Sequence, residues 1–348
     1  MLLDRPLHPM EGCSFRAACH KGQPLTYESQ QVSTDSGTRL VAYRWPAQGD
    51  TIACLVIVHG MAEHARRYTR LAEHLASAGI EVHAFDLRGH GATTRSIDHG
   101  DLGERCSWQT LIDDVQRVRQ RAAGHADGAP IFLFGHSLGS FIATAVLEQF
   151  GDMYTGAILS GTDRPSPTQC RAAALLARIE CARMGANGVS DALQRLTVGA
   201  YDRRLARYYG PVRGNAWLSG DDAAVDAYNA DPDCGFALRV GAWHTLLNGI
   251  ARTSSAHRLR RLPMTLPLLI LAGRDDPMGK FGRGPQRVAR ALDCDGQRDL
   301  ELRLYDGQRH ELLHDIHADT VIADIRRWLE ARALKAAHTA APFPRHKE

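Results

Sequence analysis

The sequence predicts an α/β fold in which a mostly parallel sheet is flanked by helices and interrupted by a helical insertion. Apolar runs of strand length alternate along the chain with longer stretches of helical character. The run at residues 52–58 is continuously apolar, as is typical of a parallel strand buried on both faces. The alternation stops at about residue 163 and resumes near residue 264, which indicates a helical block inserted between two strands.

The chain enters this fold through a predicted β-hairpin. Residues 27–33 and 38–45 are β-prone, and the four residues between them have good turn chemistry. We therefore expect an antiparallel edge on the sheet. Further strands are predicted at 52–58, 80–85, 131–134, 157–160, 268–272 and 301–305, and helices at 68–78, 108–123, 137–150 and 320–334.

The remaining predicted helices, 172–184, 202–209 and 240–250, lie in the inserted block. We call residues 163–263 the cap and residues 25–162 with 264–336 the core, since such blocks cover the carboxyl ends of strands, where ligands bind. An apolar stripe at 172–179 could line a ligand tunnel beneath the cap, although simple core packing explains such stripes more often. Residues 1–24 are expected to form a loosely held arm and residues 337–348 a disordered tail.

Composition excludes several classes of protein. A net charge of +3 over 348 residues is too small to indicate a nucleic-acid partner. No signal-peptide pattern and no apolar run long enough for a membrane helix is found. The eight cysteines contain no CxxC pair, so we expect reduced thiols and a cytoplasmic location, with peripheral membrane contact through the cap left open.

The strongest chemical signal is a G-x-S-x-G motif at residues 135–139, which read GHSLG. It follows an apolar strand directly and opens a helix, the setting in which a nucleophilic serine occupies a strained turn. Gly135 and Gly139 leave room for that turn, and His136 and Leu138 flank the serine. We therefore predict the α/β-hydrolase fold, with Ser137 as the nucleophile.

A serine nucleophile requires a base and an orienting carboxylate, which follow it in the chain order Ser, Asp, His in this fold. Asp275 and Asp276 come just after the strand at 268–272, and His310 follows the strand at 301–305. Asp276 is preferred because it ends the turn before a proline, whereas Asp275 is interpreted as a turn residue.

The predicted oxyanion hole combines the N–H of Leu138 with one from the loop at residues 59–64, HGMAEH. Met61 is the residue whose N–H we assign to this role. His59, Gly60 and Glu63 are expected to support the loop, His59 by hydrogen bonding rather than as a base.

These motifs together resemble the monoacylglycerol lipase/lysophospholipase family of α/β-hydrolases, also described as serine aminopeptidase S33. The resemblance covers residues 27–329 and rests on residues 59–64 with 67–68, 85–91 (FDLRGHG), 135–139, 231–236 (DPDCGF) and 305–311 (YDGQRHE). It implies that Ser137, Asp276 and His310 form the triad, with Met61 and Leu138 as oxyanion donors.

The sequence departs from the family pattern at Ala62, where the family usually has glycine, and at Ser140, where it often does. Ala62 keeps its backbone N–H, so activity is expected to survive. The cap resembles the family only weakly outside residues 231–236, and this leaves substrate specificity open.

The resemblance implies hydrolysis of carboxylic esters of lipids, of the monoacylglycerol or lysophospholipid type, through an acyl-enzyme. An aminopeptidase or iminopeptidase with the same triad stays an alternative, as does a broad small-ester carboxylesterase. An amine-binding site would need cap carboxylates, but Asp221, Asp222 and Asp226 look more like an exposed helix start. Ser137 argues against dehalogenases and epoxide hydrolases, and a non-catalytic binding protein is the least favoured alternative.

The expected partner is a small lipid or ester molecule. No metal and no cofactor is expected, and the sequence leaves the oligomeric state open.

Overall fold

A computed structural model describes residues 26–293 and 298–340, and eight of its strands form one sheet. The strands are β1 (Glu28–Ser33), β2 (Arg39–Trp45), β3 (Ala53–Val58), β4 (Ile80–Phe85), β5 (Ile131–His136), β6 (Gly156–Ser160), β7 (Leu268–Gly273) and β8 (Leu300–Tyr305). Their spatial order is β1-β2-β4-β3-β5-β6-β7-β8. The hairpin β1–β2 is antiparallel and joins β4 antiparallel, while the remaining pairs are parallel.

Eleven α-helices lie within the described ranges. They are α1 (Thr69–Ala76), α2 (Trp108–His125), α3 (Leu138–Phe150), α4 (Pro167–Met184), α5 (Asp191–Leu196), α6 (Gly199–Tyr209), α7 (Asp222–Ala230), α8 (Val240–Thr253), α9 (Ala256–Leu259), α10 (Arg283–Leu292) and α11 (Ala318–Ala340). The predicted α/β-hydrolase architecture, a mostly parallel sheet with flanking helices, is confirmed.

Helices cover the sheet on both faces, and β3 shows why its sequence is uniformly apolar. All six of its residues are buried. Leu55 and Ile57 pack with α1 and α11, whereas Val56 and Val58 pack on the opposite face with α2, α3, α8 and α10. A strand with two covered faces has no exposed position for a polar residue, so the alternation typical of a half-buried strand is missing.

The six helices α4 to α9 lie between β6 and β7, within the segment defined above as the cap. Helix α8 packs along α4 and also reaches α2, where Gly249 lies so close to Trp108 that a Cβ would overlap the indole ring. The buried apolar residues of α4 and α8 belong to the same cluster as those of α2 and α3. The inserted helices are thus continuous with the hydrophobic core on this face of the sheet.

Some elements differ from the sequence-based expectations. The short helices α5 and α9 and the arginine-rich α10 were not predicted, since four to ten residues show too little of the helical period. The expected exposed helix start at residues 221–226 is the beginning of α7, with Asp221 as its N-cap.

The predicted start of the disordered tail at residue 337 is wrong, because α11 extends to Ala340 and residues 337–340 are helical. Residues 341–348 of that tail and the expected arm at 1–24 lie outside the described residues.

Two chemical expectations of the sequence can be compared with the described residues. The five cysteines at positions 54, 106, 170, 181 and 234 are free thiols. No helix within residues 26–293 and 298–340 is long and apolar enough to cross a membrane.

The parallel strands end at one edge of the sheet, and this edge gathers the motifs found in the sequence. Residues 59–64 follow β3, Ser137 follows β5, Asp276 follows β7 and His310 follows β8. Residues far apart along the chain are thereby brought to one place beneath the inserted helices.

Candidate active site

Ser137 occupies a sharp turn between β5 and α3. Its φ of 50° and ψ of −116° lie outside the conformations that non-glycine residues ordinarily adopt. Gly135 and Gly139 make the turn possible, because a Cβ on Gly135 would overlap the carbonyl of Gly139, and one on Gly139 would overlap that of Val58. The glycines of the motif therefore serve a close packing of α3 against β3 and β5. Strain of this kind, about 1–3 kcal/mol, is retained in proteins where it serves function.

Hydrogen bonds from neighbouring elements hold this turn. The Ser137 N–H donates to the Ser160 carbonyl at the end of β6 (2.9 Å). The Ser137 carbonyl accepts from the N–H of Ser140 (2.9 Å) and from its hydroxyl (2.6 Å). The departure from the family at Ser140 thus adds a side-chain hydrogen bond to the turn.

His310 and Asp276 form a buried pair next to this turn. The Nδ1 atom of His310 lies 2.9 Å from Oδ2 of Asp276, and both side chains are almost completely inaccessible to solvent. The other carboxylate oxygen of Asp276 accepts from the Met278 N–H at 2.7 Å. Asp275 does not contact the imidazole, so the geometry favours Asp276, as the sequence did.

The electrostatics of this pair affect the proton affinity of His310. Burial lowers the pKa of the imidazole, but the negative charge of Asp276 and its hydrogen bond outweigh burial, and the pKa lies above its ordinary value of 6.5. The Nε2 atom of His310 is buried and has no hydrogen-bond partner among the described residues. Ser137 and His310 line the same cavity.

His136 lies between the nucleophile turn and His310. Its ring centroid is 4.9 Å from that of His310, and Nδ1 lies 3.4 Å from the Ser160 hydroxyl. Burial, together with the nearby His310, lowers the pKa of His136 to about 4. His136 is therefore neutral near pH 7 and adds no charge beside His310.

The loop after β3 is held by its own polar residues. Nδ1 of His59 lies 2.7 Å from the Gly60 carbonyl, and its Nε2 accepts from the Leu87 N–H at 2.9 Å. The Gly60 N–H donates to Oε1 of Glu63 at 2.5 Å, and a Cβ on Gly60 would crowd both Glu63 and Ser137. These contacts hold the backbone of the loop at His59, Gly60 and Glu63, the residues that the sequence analysis expects to support it.

The backbone conformation of Ala62 shows why the family usually has glycine at this position of the loop. Its φ is 54°, in the left-handed region that costs a non-glycine residue about 1–2 kcal/mol. The Ala62 carbonyl accepts from the Tyr228 hydroxyl and the Gly235 N–H, both at 2.9 Å. Two hydrogen bonds from the cap therefore support the strained residue.

The two predicted oxyanion donors are placed at the same cavity. Leu138 is the first residue of α3, so its N–H lies beyond the reach of intrahelical carbonyls. Met61 precedes the strained Ala62, and both Met61 and Leu138 line the cavity beside Ser137. Their placement is compatible with donation to an oxygen bound next to Ser137.

A buried ion-pair network joins this loop to the loop that carries His310. The Arg67 guanidinium contacts both oxygens of Glu311 (2.6 and 2.7 Å) and lies 3.0 Å from Glu63, and it also lies over the Tyr228 ring at 5.0 Å. Burial alone would raise the pKa values of Glu63 and Glu311, but the positive charge of Arg67, together with further nearby groups and hydrogen bonds, outweighs burial and lowers both. Sequence reasoning included Arg67 only as part of a motif and did not find its pairing with Glu311.

The cavity next to Ser137 has a volume of about 270 Å³ and is lined mainly by apolar side chains. Its apolar residues include Phe141 of α3, Trp243, Leu246, Leu247 and Ile250 of α8, and Tyr201, Trp217 and Phe236. Trp217 stacks against His310 with ring centroids 4.8 Å apart, a contact that no sequence pattern indicated. The size and lining suit a small apolar ligand.

The tunnel interpretation of residues 172–179 is wrong. None of these residues lines the cavity. Ala174 and Ala177 are buried in the core, while Leu175 and Ile179 are exposed on the outer face of α4. The stripe packs α4 against α8, and the helical part of the cavity lining comes from other residues, including two of α3, four of α8 and three of α6.

Two groups of side chains in the described ranges lie close enough to be considered as cation sites. One is Cys54, Glu81 and His83, where Glu81 already pairs with Arg44 and His83. The other consists of residues 64, 231 and 234, where a histidine and an aspartate are already paired at 2.9 Å. We assign no metal to either group, because these contacts already satisfy the charged groups.

The strained serine turn, the buried His–Asp pair and the cavity under inserted helices define a hydrolase of the α/β-hydrolase fold. A sequence profile of the family described as "Serine aminopeptidase, S33" matches residues 49–317. The chain therefore belongs to this family. With the relatives described next, the match confirms the predicted family and the prediction of a serine ester hydrolase.

Similar sequences cover most of the chain. A monoacylglycerol lipase of Mycolicibacterium smegmatis is 26% identical over 299 residues, covering 84% of this chain and 93% of that protein. A monoglyceride lipase of Mus musculus is 28% identical over 312 residues, covering 88% of this chain and 91% of that protein.

Solved structures show the same fold at lower identity. A thermostable carboxyl esterase of Bacillus coagulans has a TM-score of 0.81 at 24% identity, covering 89% of this chain and 99% of that one. A soluble variant of monoglyceride lipase from Saccharomyces cerevisiae, in complex with a substrate analog, has a TM-score of 0.68 at 21% identity, covering 90% and 98%.

Replacing Arg67 by glutamine should destabilise the protein strongly. The change leaves Glu63 and Glu311 buried without a cation, and breaking such a pair costs about 3–5 kcal/mol. Without Arg67, the burial that raises the pKa values of both carboxyls is no longer offset, so the loss should be full only at a pH above the carboxyl pKa values of the folded variant. It should shrink as the pH falls and the carboxyls of the variant take up protons.

Urea denaturation at several pH values measures this effect. The matched control is Arg70→Gln, because Arg70 pairs with Asp319 on the exposed surface and such pairs contribute at most about 1 kcal/mol. Equal and small losses in the two variants would contradict a stabilising role for the buried network.

Proposed function

We propose that this protein hydrolyses carboxylic esters of lipids, with Ser137 as nucleophile, His310 as general base and Asp276 as the residue that orients His310. The observation that carries the proposal is the strained Ser137 turn, which opens on an apolar cavity beside the buried His310–Asp276 pair. Monoacylglycerol and lysophospholipid are the substrate types considered.

The first step would be attack of the Ser137 oxygen on the ester carbonyl. His310 takes the hydroxyl proton at Nε2, the imidazole nitrogen without a hydrogen-bond partner among the described residues. Asp276 fixes the imidazole through Nδ1 and stabilises the imidazolium that forms. The N–H groups of Met61 and Leu138 receive the developing oxyanion, and losing one such donor typically costs about 10²–10³ in turnover.

The second step would release the fatty acid. The alcohol leaves after accepting the proton from His310, and water then attacks the acyl-enzyme with His310 acting again as base. The product acid leaves Ser137 with its hydroxyl restored. The apolar wall formed by α3 and α8 would hold the acyl chain through both steps.

The carboxylates around the cavity disfavour the aminopeptidase alternative. A site for a free amino terminus needs a carboxylate that is not already neutralised. Within the described residues, Glu63, Asp163 and Glu311 line the cavity, and each is paired with a lysine or an arginine. Residues 221, 222 and 226, the cap aspartates considered from the sequence, do not line it.

A fluorophosphonate probe and a monoacylglycerol assay test the proposal together. Replacing Ser137 by alanine should abolish labelling and reduce turnover by about 10⁴-fold or more, because the nucleophile is removed. The control is Ser77→Ala, since Ser77 lies at the surface after α1 and should leave labelling intact.

Labelling that persists in Ser137→Ala would contradict the assignment of the nucleophile. Labelling without ester hydrolysis, but with cleavage of aminoacyl amides, would favour the aminopeptidase alternative. A wild-type protein that neither labels nor hydrolyses any ester would support a non-catalytic binding protein.

The rate of fluorophosphonate labelling should fall in acid as His310 takes up a proton and ceases to be a base. Since Asp276 holds the pKa of His310 above 6.5, the midpoint of this fall should lie above that pH. Other groups facing His310 are His136, neutral because of its low pKa, and the paired residues Glu63 and Glu311.

Asp276→Asn removes the charge that raises the pKa of His310 and leaves burial, which lowers it. The midpoint should move below 6.5, and the rate at its plateau should fall by up to about 10⁴-fold. Asp275→Asn is the matched control and should keep the wild-type midpoint. An unchanged midpoint in Asp276→Asn would argue against this origin of the pH dependence.

We further propose that the cap contacts lipid surfaces transiently. Leu175 and Ile179 are 57% and 55% exposed and lie four residues apart on the outer face of α4, beside the exposed Arg171 and Arg178. Apolar residues flanked by basic ones are typical of helices that bind at a membrane interface.

Sedimentation with phosphatidylglycerol vesicles tests this contact. The double variant Leu175→Ser and Ile179→Ser should bind at least tenfold less, because one fully buried apolar side chain contributes about 1.5–3 kcal/mol and about 1.4 kcal/mol corresponds to a factor of ten. The control is Ile52→Ser. Ile52 immediately precedes β3, outside the cap, and is 44% exposed. Equal binding by both variants would exclude α4 as the contact.

A further inference from the structure

The cavity beside Ser137 has two unlike walls, and only the apolar one is used by the proposed function. The β3 and β5 side is covered by α3 and α8 and is apolar. The other wall is formed by the loops after β6 and β7 and by α6, and it includes Asp163, Lys280 and Arg204 beside apolar residues such as Tyr201 and Met278.

Lys280 is held at this wall by an unusual backbone. Its φ is 54° and that of Phe281 is 56°, and two successive non-glycine residues in the left-handed region cost about 1–2 kcal/mol each. The segment follows Asp276 directly and is fixed by a hydrogen bond from the Phe281 N–H to the Asp276 carbonyl (2.8 Å). Strain beside a catalytic loop is a reason to look for a function of the residue it places.

Arg204 reaches the same wall from α6 and has no carboxylate partner. Its guanidinium lies 3.4 Å from the Pro277 carbonyl and 5.8 Å from the centre of the Tyr201 ring. None of the ion pairs among the described residues involves Arg204, although it is half-buried at the cavity. An arginine in this position offers unused N–H donors to a bound ligand.

The charges at this wall do not balance. Asp163 is buried and is contacted by two cations, Lys280 at 2.9 Å and Arg287 at 3.2 Å. Arg204 is a third cation, and the nearby Asp276 is already engaged by His310 and by the Met278 N–H. Asp163 is thus contacted by two cations, and Arg204, which has no ion-pair partner among the described residues, adds a further positive charge at the cavity.

We infer that the cavity accepts an ester whose apolar chain lies against α3 and α8 and whose alcohol part carries an anionic group bound by Arg204 and Lys280. A phosphate on a glycerol backbone has this chemistry, because arginine and lysine are the side chains that bind phosphate oxygens best. This inference rests on the proposed function, because the bound ester is the one that Ser137 attacks. It narrows the substrate class to acyl esters with a negatively charged headgroup.

Hydrolysis of matched substrates tests the inference. Short-chain 1-acylglycerol 3-phosphate, lysophosphatidylglycerol, lysophosphatidylcholine and monoacylglycerol with the same acyl group are compared below their micelle concentrations, so that no charged surface contributes. The measured quantity is the ratio of kcat/KM for each anionic substrate to that for monoacylglycerol. This ratio is measured within each variant, so a partial loss of folded enzyme affects both values equally and does not change the ratio.

Arg204→Gln and Lys280→Gln should each lower this ratio by about tenfold, the effect of losing one charge-assisted hydrogen bond, mainly through KM. Arg204→Lys should retain part of it. Asp163→Asn should change the ratio in the opposite direction, because it removes the charge that neutralises Lys280. Arg207→Gln on the exposed face of α6 is the matched control and should keep the wild-type ratio.

Binding to the Ser137→Ala variant gives a second measurement that does not depend on turnover. Titration calorimetry with the short-chain 1-acylglycerol 3-phosphate should show binding that weakens about tenfold when Arg204→Gln is added. A ratio that is equal in wild type, Arg204→Gln and Lys280→Gln would overturn the inference. If monoacylglycerol hydrolysis still depends on Ser137, the proposed function stands in that case. If the wild-type protein hydrolyses no ester and is not labelled by the fluorophosphonate probe, both the proposed function and this inference are contradicted.

Discussion

The candidate site depends on one buried interaction, the contact of Arg67 with Glu63 and Glu311. Glu63 fixes the loop after β3 through the Gly60 N–H, and Glu311 directly follows His310 in the loop after β8. The two loops belong to strands that are separated in the sheet by β5, β6 and β7. A single guanidinium therefore connects the loop after β3 to the loop that carries His310. The cost of desolvating this guanidinium is offset only while both carboxylates remain in contact with it. Because Arg67 also lies against Tyr228, the cap is positioned by the same group.

A second constraint is the close approach of backbones around Ser137. Gly139 lies against the Val58 carbonyl, and Gly60 lies between Glu63 and Ser137, so neither position has room for a Cβ. This packing brings the start of α3 next to the loop after β3, which is the arrangement that two backbone donors need in order to share one oxygen. Ala62 shows that the packing can tolerate a left-handed alanine where two cap hydrogen bonds hold its carbonyl. The geometry of the loop thus depends on both the core and the inserted helices.

Much of the fold and of the candidate site could be predicted from the sequence, and the predictions that failed did so for physical reasons. The fold was predictable because buried parallel strands leave continuous apolar runs, and the order of Ser137, Asp276 and His310 follows from the order of strand ends. The sequence did not predict helix α10, because short helices show little periodicity. It also did not predict the pairing of Arg67 with Glu311, because contacts over long sequence separations leave no local pattern. The prediction that the apolar stripe at residues 172–179 of α4 lines the cavity was wrong, because periodicity identifies a buried face but does not identify what covers it.

The two walls of the cavity show why chemistry and specificity can vary separately in this fold. Ser137, His310 and Asp276 follow strands of the sheet, where the register between neighbours fixes their positions. The acyl-side wall comes from α3 and α8, which pack into the core and so favour apolar residues of any sequence. Arg204 and Lys280 come from a cap helix and from a strained loop, where a change of one side chain leaves the sheet unaffected. If these two positions select between neutral and anionic alcohols, as proposed, that selection can change without disturbing the proposed triad.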